Sequence, residues 1–89
     1  MNAKIHNLKT DPEPFQAVVE GLKPFEIRKN DRDFKVGDLL ILEETRYSSA
    51  EMFEDQHPLE YTGRCIHRPI KYILHGPCYG LDEGWCILA

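Results

Sequence analysis

Three charged residues follow a glycine at fixed offsets in the first third of the chain. They are Lys23, Glu26 and Arg28. If residues 25–28 form a short strand, its side chains alternate in direction, so that Phe25 and Ile27 face a core. Glu26 and Arg28 then share the opposite face, and Lys23 lies where the strand begins.

The three side chains suit the recognition of a small polar ligand. A carboxylate accepts hydrogen bonds, and a guanidinium offers a planar fork for carboxylate, phosphate or a base edge. A lysine supplies a mobile positive charge or, when desolvated, a nucleophile or base. The spacing therefore predicts a binding site, and the alternative is an ion-pair cluster that only solvates a surface.

Length and composition predict one ordinary domain. The 89 residues can bury a single core without a metal or a disulfide, so residues 1–89 form one unit. No apolar run approaches the roughly 18 residues that a membrane span needs, and the N-terminus has no apolar signal segment. We therefore expect a cytoplasmic protein with no membrane partner.

Cysteine usage points in the same direction. The 3 cysteines are spaced neither as a CxxC pair nor as a zinc-ligand set, and the histidines do not complete one. We predict free thiols in a reducing compartment, with no metal and no cofactor.

The charge is unevenly distributed along the chain. The net charge is -4, but residues 43–60 carry a local sum of -5, whereas residues 23–35 and 64–71 carry +2 and +3. Such a chain can present a local anion site, although its overall field disfavours long stretches of phosphate backbone. The distribution suits a small nucleotide or a short single-stranded RNA better than duplex DNA.

One helix near the start is clearly marked. A strand over residues 4–9 precedes it, Asp11 is a good N-cap, Pro12 fits the first helical position, and Gly21 can end the helix in a left-handed conformation. An apolar stripe at helical spacing is formed by Phe15, Val18, Val19 and Leu22.

The remaining elements are predicted as strands. They cover residues 25–28, residues 39–42, a long strand over residues 61–74 interrupted near Pro69, and an interior strand over residues 85–89. The acidic segment of about residues 45–58 has no periodicity and is predicted as a loop insertion, with a functional flap as the alternative. Five short strands and one N-terminal helix predict an α+β fold built on a small, partly closed β-barrel.

The segment 21–28 resembles the GxKxxExR signature of the ASCH domain family, a branch of the PUA-like barrels. Further resemblance lies in residues 6–12, 30–38 and 61–64, which look like a small bacterial and phage-borne subgroup, so that nearly the whole chain except residues 45–58 is covered. The resemblance implies a PUA-like barrel with a cleft beside the helix that binds RNA or a nucleotide-like small ligand. The residues predicted to line or neighbour this cleft are Lys23, Glu26, Arg28, Asn30, Asp31, Arg32, Tyr61 and Arg64.

Two other functions stay open. Some small ASCH proteins are amidohydrolases that deacetylate N4-acetylcytidine with a lysine, a threonine and a distant glutamate. Lys23 matches that lysine, but Glu26 stands at the threonine position, and Glu83 is only a guess for the glutamate, so we expect a binding module rather than an enzyme. The third function is a protein-interaction role, such as a phage inhibitor that contacts a protein partner through the acidic segment.

Overall fold

The computed structural model describes residues 2–89, and within them the chain forms six strands and two helices. In chain order these are β1 (Ile5–Thr10), α1 (Pro12–Val19), β2 (Glu26–Lys29), β3 (Leu39–Thr45), α2 (Ser49–Glu54), β4 (Tyr61–Pro69), β5 (Ile73–His75) and β6 (Trp85–Leu88).

The strands form two three-stranded sheets. The first has the order β1-β3-β4, in which β1 runs parallel and β4 antiparallel to β3. The second is antiparallel and has the order β2-β6-β5. The apolar run of β3 and the last strand, β6, are therefore the two central strands, in agreement with the interior position expected for residues 85–89.

A single hydrophobic core lies between the two sheets and α1. Its buried members are Leu8, Phe15, Val18, Phe34, Leu40, Leu42, Ile70, Cys86 and Leu88. Helix α1 packs against β3 through its buried residues Phe15 and Val18. The apolar stripe predicted for this helix is wrong beyond Val18, because Val19 and Leu22 are 49% and 75% exposed.

Helix α1 begins and ends close to the predicted residues. Pro12 is its first residue, and the helix stops at Val19, just before Gly21 adopts a φ of 76°. Asp11 stands at the N-cap but makes no side-chain capping bond. Its carboxylate accepts hydrogen bonds from the backbone N–H and the hydroxyl of Ser49 instead, at 3.1 and 2.9 Å. The start of α1 is thereby joined to α2.

The predicted five-stranded, partly closed barrel with one helix is wrong. Residues 61–74 form two strands, β4 and β5, that lie in different sheets, and the segment predicted as an irregular insertion contains α2. That helix has a capping box, in which the Ser48 hydroxyl accepts from the Glu51 N–H and the Glu51 carboxylate accepts from the Ser48 N–H. Hydrogen bonds to the Glu51 carboxylate from the backbone N–H and from the side chain of Ser48 lower the pKa of this carboxyl.

The sheets also fail to close because β1 and β2, each at the edge of its sheet, do not pair with one another within the described chain. Arginine side chains span this gap. Arg28 Nη2 donates to the Lys9 carbonyl at 3.0 Å, and Arg32 Nη1 donates to the Asn7 carbonyl at 2.6 Å. We call the gap between β1 and β2 the seam.

The parity of β1 explains why these carbonyls are available. The carbonyl of Lys4 accepts from the β3 side, so the carbonyls of Asn7 and Lys9, an odd number of residues away, face the opposite edge. Guanidinium groups take the place that a neighbouring strand would occupy, which leaves the seam wide enough for side chains and solvent.

Candidate functional site

The inward face of β2 is charged. Glu26 lies opposite Leu88 and Arg28 opposite Cys86 in the antiparallel register with β6, so both charged residues share a face with buried core residues. The prediction that Phe25 and Ile27 face the core is wrong, because they are 36% and 49% exposed. The side chains of β2 alternate as predicted, but the charged side chains face the core and the apolar ones face outward.

Glu26 is the centre of the charged group. Its residue is 3% exposed, and its two carboxylate oxygens accept from Lys23 Nζ at 2.8 Å and from Arg28 Nη2 at 3.1 Å. The side chains of Lys23 and Arg28 remain 22% and 26% exposed. A buried anion therefore lies behind two cations that reach solvent, and the three predicted groups do converge.

Neighbouring elements fix the positions of these side chains. Arg28 Nη2 also lies 3.4 Å from the hydroxyl of Thr10 at the end of β1. All the hydrogen bonds that Arg28 makes with described residues use Nη2, so its Nε and Nη1 make none within residues 2–89. On the other side, Arg68 of β4 donates to the carbonyls of Lys23 and Pro24 at 3.2 and 3.0 Å, which holds the segment that carries Lys23.

The charged group opens into a hollow of about 230 Å³ in the seam. We call it the polar hollow; Lys9, Thr10, Asp11, Pro14, Lys23, Glu26, Ile27, Arg28 and Ser49 line it. Its formal charges comprise three cations and two anions, so the local sum is +1 in a chain of net charge -4. Hydroxyl, carboxylate and cationic groups thus face one small volume.

A second hollow, of about 350 Å³, lies further along the seam, and we call it the Trp85 hollow. Its lining residues are Leu8, Ile27, Arg28, Lys29, Asp31, Arg32, Phe34 and Trp85. Two of the predicted neighbours, Asp31 and Arg32, lie here. Asn30 shapes the same loop by accepting the backbone N–H of Phe34 at 3.1 Å, and it lines neither hollow.

The other two predicted residues lie elsewhere. Arg64 stacks over the ring of Phe15 with 5.0 Å between its Cζ and the ring centroid, and it contacts Gln16 and Glu44. Tyr61 is 46% exposed where β4 begins, and neither residue lines the polar hollow or the Trp85 hollow. Arg64 therefore places its guanidinium group over Phe15 of α1 and does not line the cleft.

Several lining residues were missed from the sequence. Thr10 and Ser49 bring hydroxyl groups to the polar hollow, and Trp85 forms a wall of the Trp85 hollow. The capping-box pattern at residues 48–51 could have indicated α2, and hence the position of Ser49 at its start. No local signal places Thr10 or Trp85 beside Arg28. The register of β2 with β6 brings Trp85 there, and the packing of the two sheets across the seam brings Thr10 there.

A second buried ionisable pair lies outside both hollows. His6 Nε2 and Asp38 Oδ2 are 2.8 Å apart, and the same carboxylate accepts from the backbone N–H groups of Lys4 and Lys35, each at 3.0 Å. The hydrogen bonds from Lys4, His6 and Lys35 lower the pKa of Asp38 from its usual 3.8 to about 2. This pair closes the turn before β3 and holds it to β1.

Cys86 is a buried ionisable residue of the core. Burial raises the pKa of the Cys86 thiol, and the negative charge of Asp31 acts in the same direction. Within residues 2–89 no group of three or more His, Cys, Asp or Glu residues is placed to hold a metal ion. No helix in that range is long and apolar enough to cross a membrane.

Comparison with known proteins identifies the family. The sequence model described as "Domain of unknown function (DUF3850)" matches residues 5–89, which is nearly the whole chain. The chain belongs to the DUF3850 family. The match includes both sheets, both helices and every residue that lines either hollow.

A curated relative of this DUF3850 chain comes from a bacteriophage. It is described as "Uncharacterized 12.9 kDa protein in GpA 3'region" of Escherichia phage P2, and it is 50% identical over 44 residues. The match covers 49% of the chain and 40% of the phage protein, so the chain spans less than half of that relative's length.

Proposed function

We propose that the chain binds RNA or a nucleotide-like small ligand through the polar hollow of the seam. The observation that carries this proposal is the buried Glu26 carboxylate, held between Lys23 and Arg28 on a strand face that otherwise belongs to the core. A buried ion pair is weak support for stability, because apolar residues of similar volume usually stabilise a fold as well or better. A charged group at the floor of an open hollow is therefore better explained by a ligand than by the fold.

The lining groups match the edge of a nucleobase. Each oxygen of Glu26 has a second lone pair, and Arg28 has Nε and Nη1 without partners among the described residues. Acceptors and donors thus lie side by side, which is the arrangement that reads exocyclic amines, ring nitrogens and carbonyls of bases. The hydroxyls of Thr10 and Ser49 add acceptors, because their protons are donated to the Leu8 carbonyl and the Asp11 carboxylate.

The charge of the polar hollow limits what it can bind. Its sum of +1 suits a neutral base or a ligand with one phosphate, and does not suit the close approach of many phosphates. We propose that binding takes place in the cytoplasm, which is supported by the free thiols of Cys65, Cys78 and Cys86. The resemblance to the ASCH domain family supports the same ligand class, and membership of that family stays a prediction.

Hydrolysis of an acylated nucleoside such as N4-acetylcytidine is the second candidate function. It is favoured by Lys23 Nζ, which lies 2.8 Å from the Glu26 carboxylate, and by two hydroxyls that line the same hollow. The resemblance to the small ASCH amidohydrolases implies a threonine where this chain has Glu26, so the chemistry would need Thr10, Ser49 or a water activated by Glu26.

A thermal-shift screen of nucleosides, mononucleotides and short single-stranded RNAs tests the binding proposal. A ligand at a hundred times its Kd stabilises the native state by about 2.7 kcal/mol, which corresponds to a shift of several degrees in a domain of this size. The Glu26→Gln substitution removes the charge and keeps the side-chain volume, so it is expected to abolish the shift.

The matched control is Glu60→Gln, because Glu60 is 48% exposed and pairs with Arg46 away from the seam. This variant should keep the ligand shift. The proposal is contradicted if no compound in the screen raises the melting temperature of the wild type. It is also contradicted if a ligand raises that of Glu26→Gln by as much as that of the wild type. Conversion of N4-acetylcytidine to cytidine that is lost in Lys23→Ala would establish the hydrolase instead.

A further inference from the structure

The two hollows adjoin one another. Ile27 and Arg28 line both, and both lie in the seam between β1 and β2. The Trp85 hollow has a volume of about 350 Å³, which lies within the ~300–1,000 Å³ typical of small-molecule sites. The hollows are therefore neighbouring compartments of one groove, and a ligand that fills the first reaches the second at Arg28.

The walls of the Trp85 hollow combine an indole ring with cations. Trp85 lies opposite Lys29 in the register of β2 and β6, and its residue is 37% exposed. Arg28, Lys29 and Arg32 outnumber the single acid, Asp31, so the local sum is +2. This is the pairing of flat aromatic surface and positive charge that single-stranded nucleic acids bind.

The fold alone does not account for the position of Trp85. The inward positions of β6 are filled by Cys86 and Leu88, which are 0% and 2% exposed, whereas Trp85 stands on the other face. The floor of the hollow is formed by the buried side chains of Leu8 and Phe34. Both belong to the hydrophobic core, and Trp85 does not. A large aromatic ring is left partly uncovered beside three cations.

The three cations differ in their partners: Arg28 pairs with Glu26, whereas Lys29 and Arg32 are not neutralised by an acid of the described chain. Arg32 donates through Nη1 to the Asn7 carbonyl, and Arg28 donates through Nη2 to the Lys9 carbonyl, so both guanidinium planes are fixed by β1. A backbone carbonyl carries no net charge, and neither Arg32 nor Lys29 forms an ion pair with any described acid. Their positive charge is thus directed at whatever enters the seam.

We propose that the Trp85 hollow binds the second nucleotide of a single-stranded nucleic acid whose first nucleotide occupies the polar hollow. The second base stacks on Trp85, and the phosphate that links the two nucleotides lies between Arg28 and Arg32. This inference rests on the proposed function and narrows it, because the ligand becomes a strand of at least two nucleotides. Duplexes are excluded, since their bases are already stacked and paired.

The test compares mononucleotides with dinucleotides by isothermal titration calorimetry, using the full set of ribodinucleotides and their deoxy counterparts. Stacking on an aromatic side chain changes affinity by about 5- to 150-fold per base, so dinucleotides should bind tighter than mononucleotides by a factor in this range. Because the chain has 1 tryptophan, Trp85 fluorescence should change with dinucleotides and report the second hollow alone. The deoxy set distinguishes RNA from DNA as the source of the strand.

Three variants test the residues. Trp85→Ala should reduce the ratio of dinucleotide to mononucleotide affinity to near one, whereas Trp85→Phe should keep most of it. Lys29→Gln, an exposed substitution that is safe for folding, should lower the same ratio and the salt dependence of dinucleotide binding. Tyr79→Ala is the control, because Tyr79 is 96% exposed and lines neither hollow.

The outcomes separate this inference from the proposed function. If mononucleotides bind but dinucleotides bind no tighter, or if Trp85→Ala leaves the ratio unchanged, the second subsite is wrong and the polar hollow stands. If neither class binds, both proposals fall. Fluorescence quenching by an acidic peptide, with none by dinucleotides, would assign the Trp85 hollow to a protein partner and overturn the inference.

Discussion

Two variants of the charged group distinguish a ligand site from a structural ion pair. Glu26→Ala removes the anion and leaves Lys23 and Arg28 without it. The double substitution Lys23→Met with Glu26→Leu replaces the closest pair by apolar side chains of similar volume. We expect the single variant to be clearly less stable than the wild type and the double variant to be nearly as stable as it.

The magnitudes follow from the burial of the three residues. Removal of one partner of a fully buried pair costs about 3–5 kcal/mol. Here the cations are 22% and 26% exposed and can be hydrated through the polar hollow, so we expect Glu26→Ala to lose ~2 kcal/mol. In the double variant Arg28 still donates to the Lys9 carbonyl, and the change should stay within ~1 kcal/mol of the wild type.

Urea unfolding at pH 7, followed by the fluorescence of Trp85, measures the free energy of unfolding of all three proteins. The slope against urea concentration should be equal in each, so that midpoints can be compared directly. The double variant should also lose the ligand shift found for the wild type. If it is as unstable as Glu26→Ala, the charges are needed for folding, and the physical argument for a ligand at Glu26 is refuted.

Two further predictions concern the fold around the site. Asp38 has a pKa of about 2 against its usual 3.8, so its contribution to stability is present above about pH 4 and is lost as the pH falls towards 2. A lowering of this size corresponds to ~2 kcal/mol, so the wild type should lose ~1–2 kcal/mol more than Asp38→Asn in urea unfolding between pH 5 and pH 2. An equal pH dependence of the two proteins would contradict it. Gly76→Ala places a methyl group against the Asp82 carbonyl and should lower the stability by ~2 kcal/mol or more. Gly80→Ala meets no atom within 4 Å, so in the same assay it should cost only the strain of its positive φ of 83°, ~1 kcal/mol.

The sequence was sufficient to locate most elements. Strong local signals did this: Pro12 and Gly21 mark the ends of α1, and the apolar run of β3 marks a buried strand. The direction of β2 could not be derived in this way. Alternation gives two faces, and hydrophobicity assigned the wrong one to the core because Glu26 is matched by cations only once the chain is folded.

The error in the barrel has a related cause. A closed sheet was inferred from the number of strands and from turn signals, but closure depends on whether two edge strands pair. In this chain Arg28 and Arg32 donate hydrogen bonds to carbonyls of β1 that would otherwise accept from the backbone of a paired strand. Long side chains can substitute for a strand in this way, and no periodicity in the sequence reports it.

The seam also determines how a ligand can bind without opening the fold. Exposed strand edges invite pairing with other chains, and charged side chains on the edge counter this tendency. Arg28 uses Nη2 to hold β1, while Nε and Nη1 lie free of described partners. A ligand that binds through Nε and Nη1 therefore leaves the bridge between the sheets intact. It follows that the two sheets should keep their separation on binding. The ligand should also make the seam more rigid, because it supplies hydrogen-bond partners that a fifth strand pairing, between β1 and β2, would otherwise have supplied.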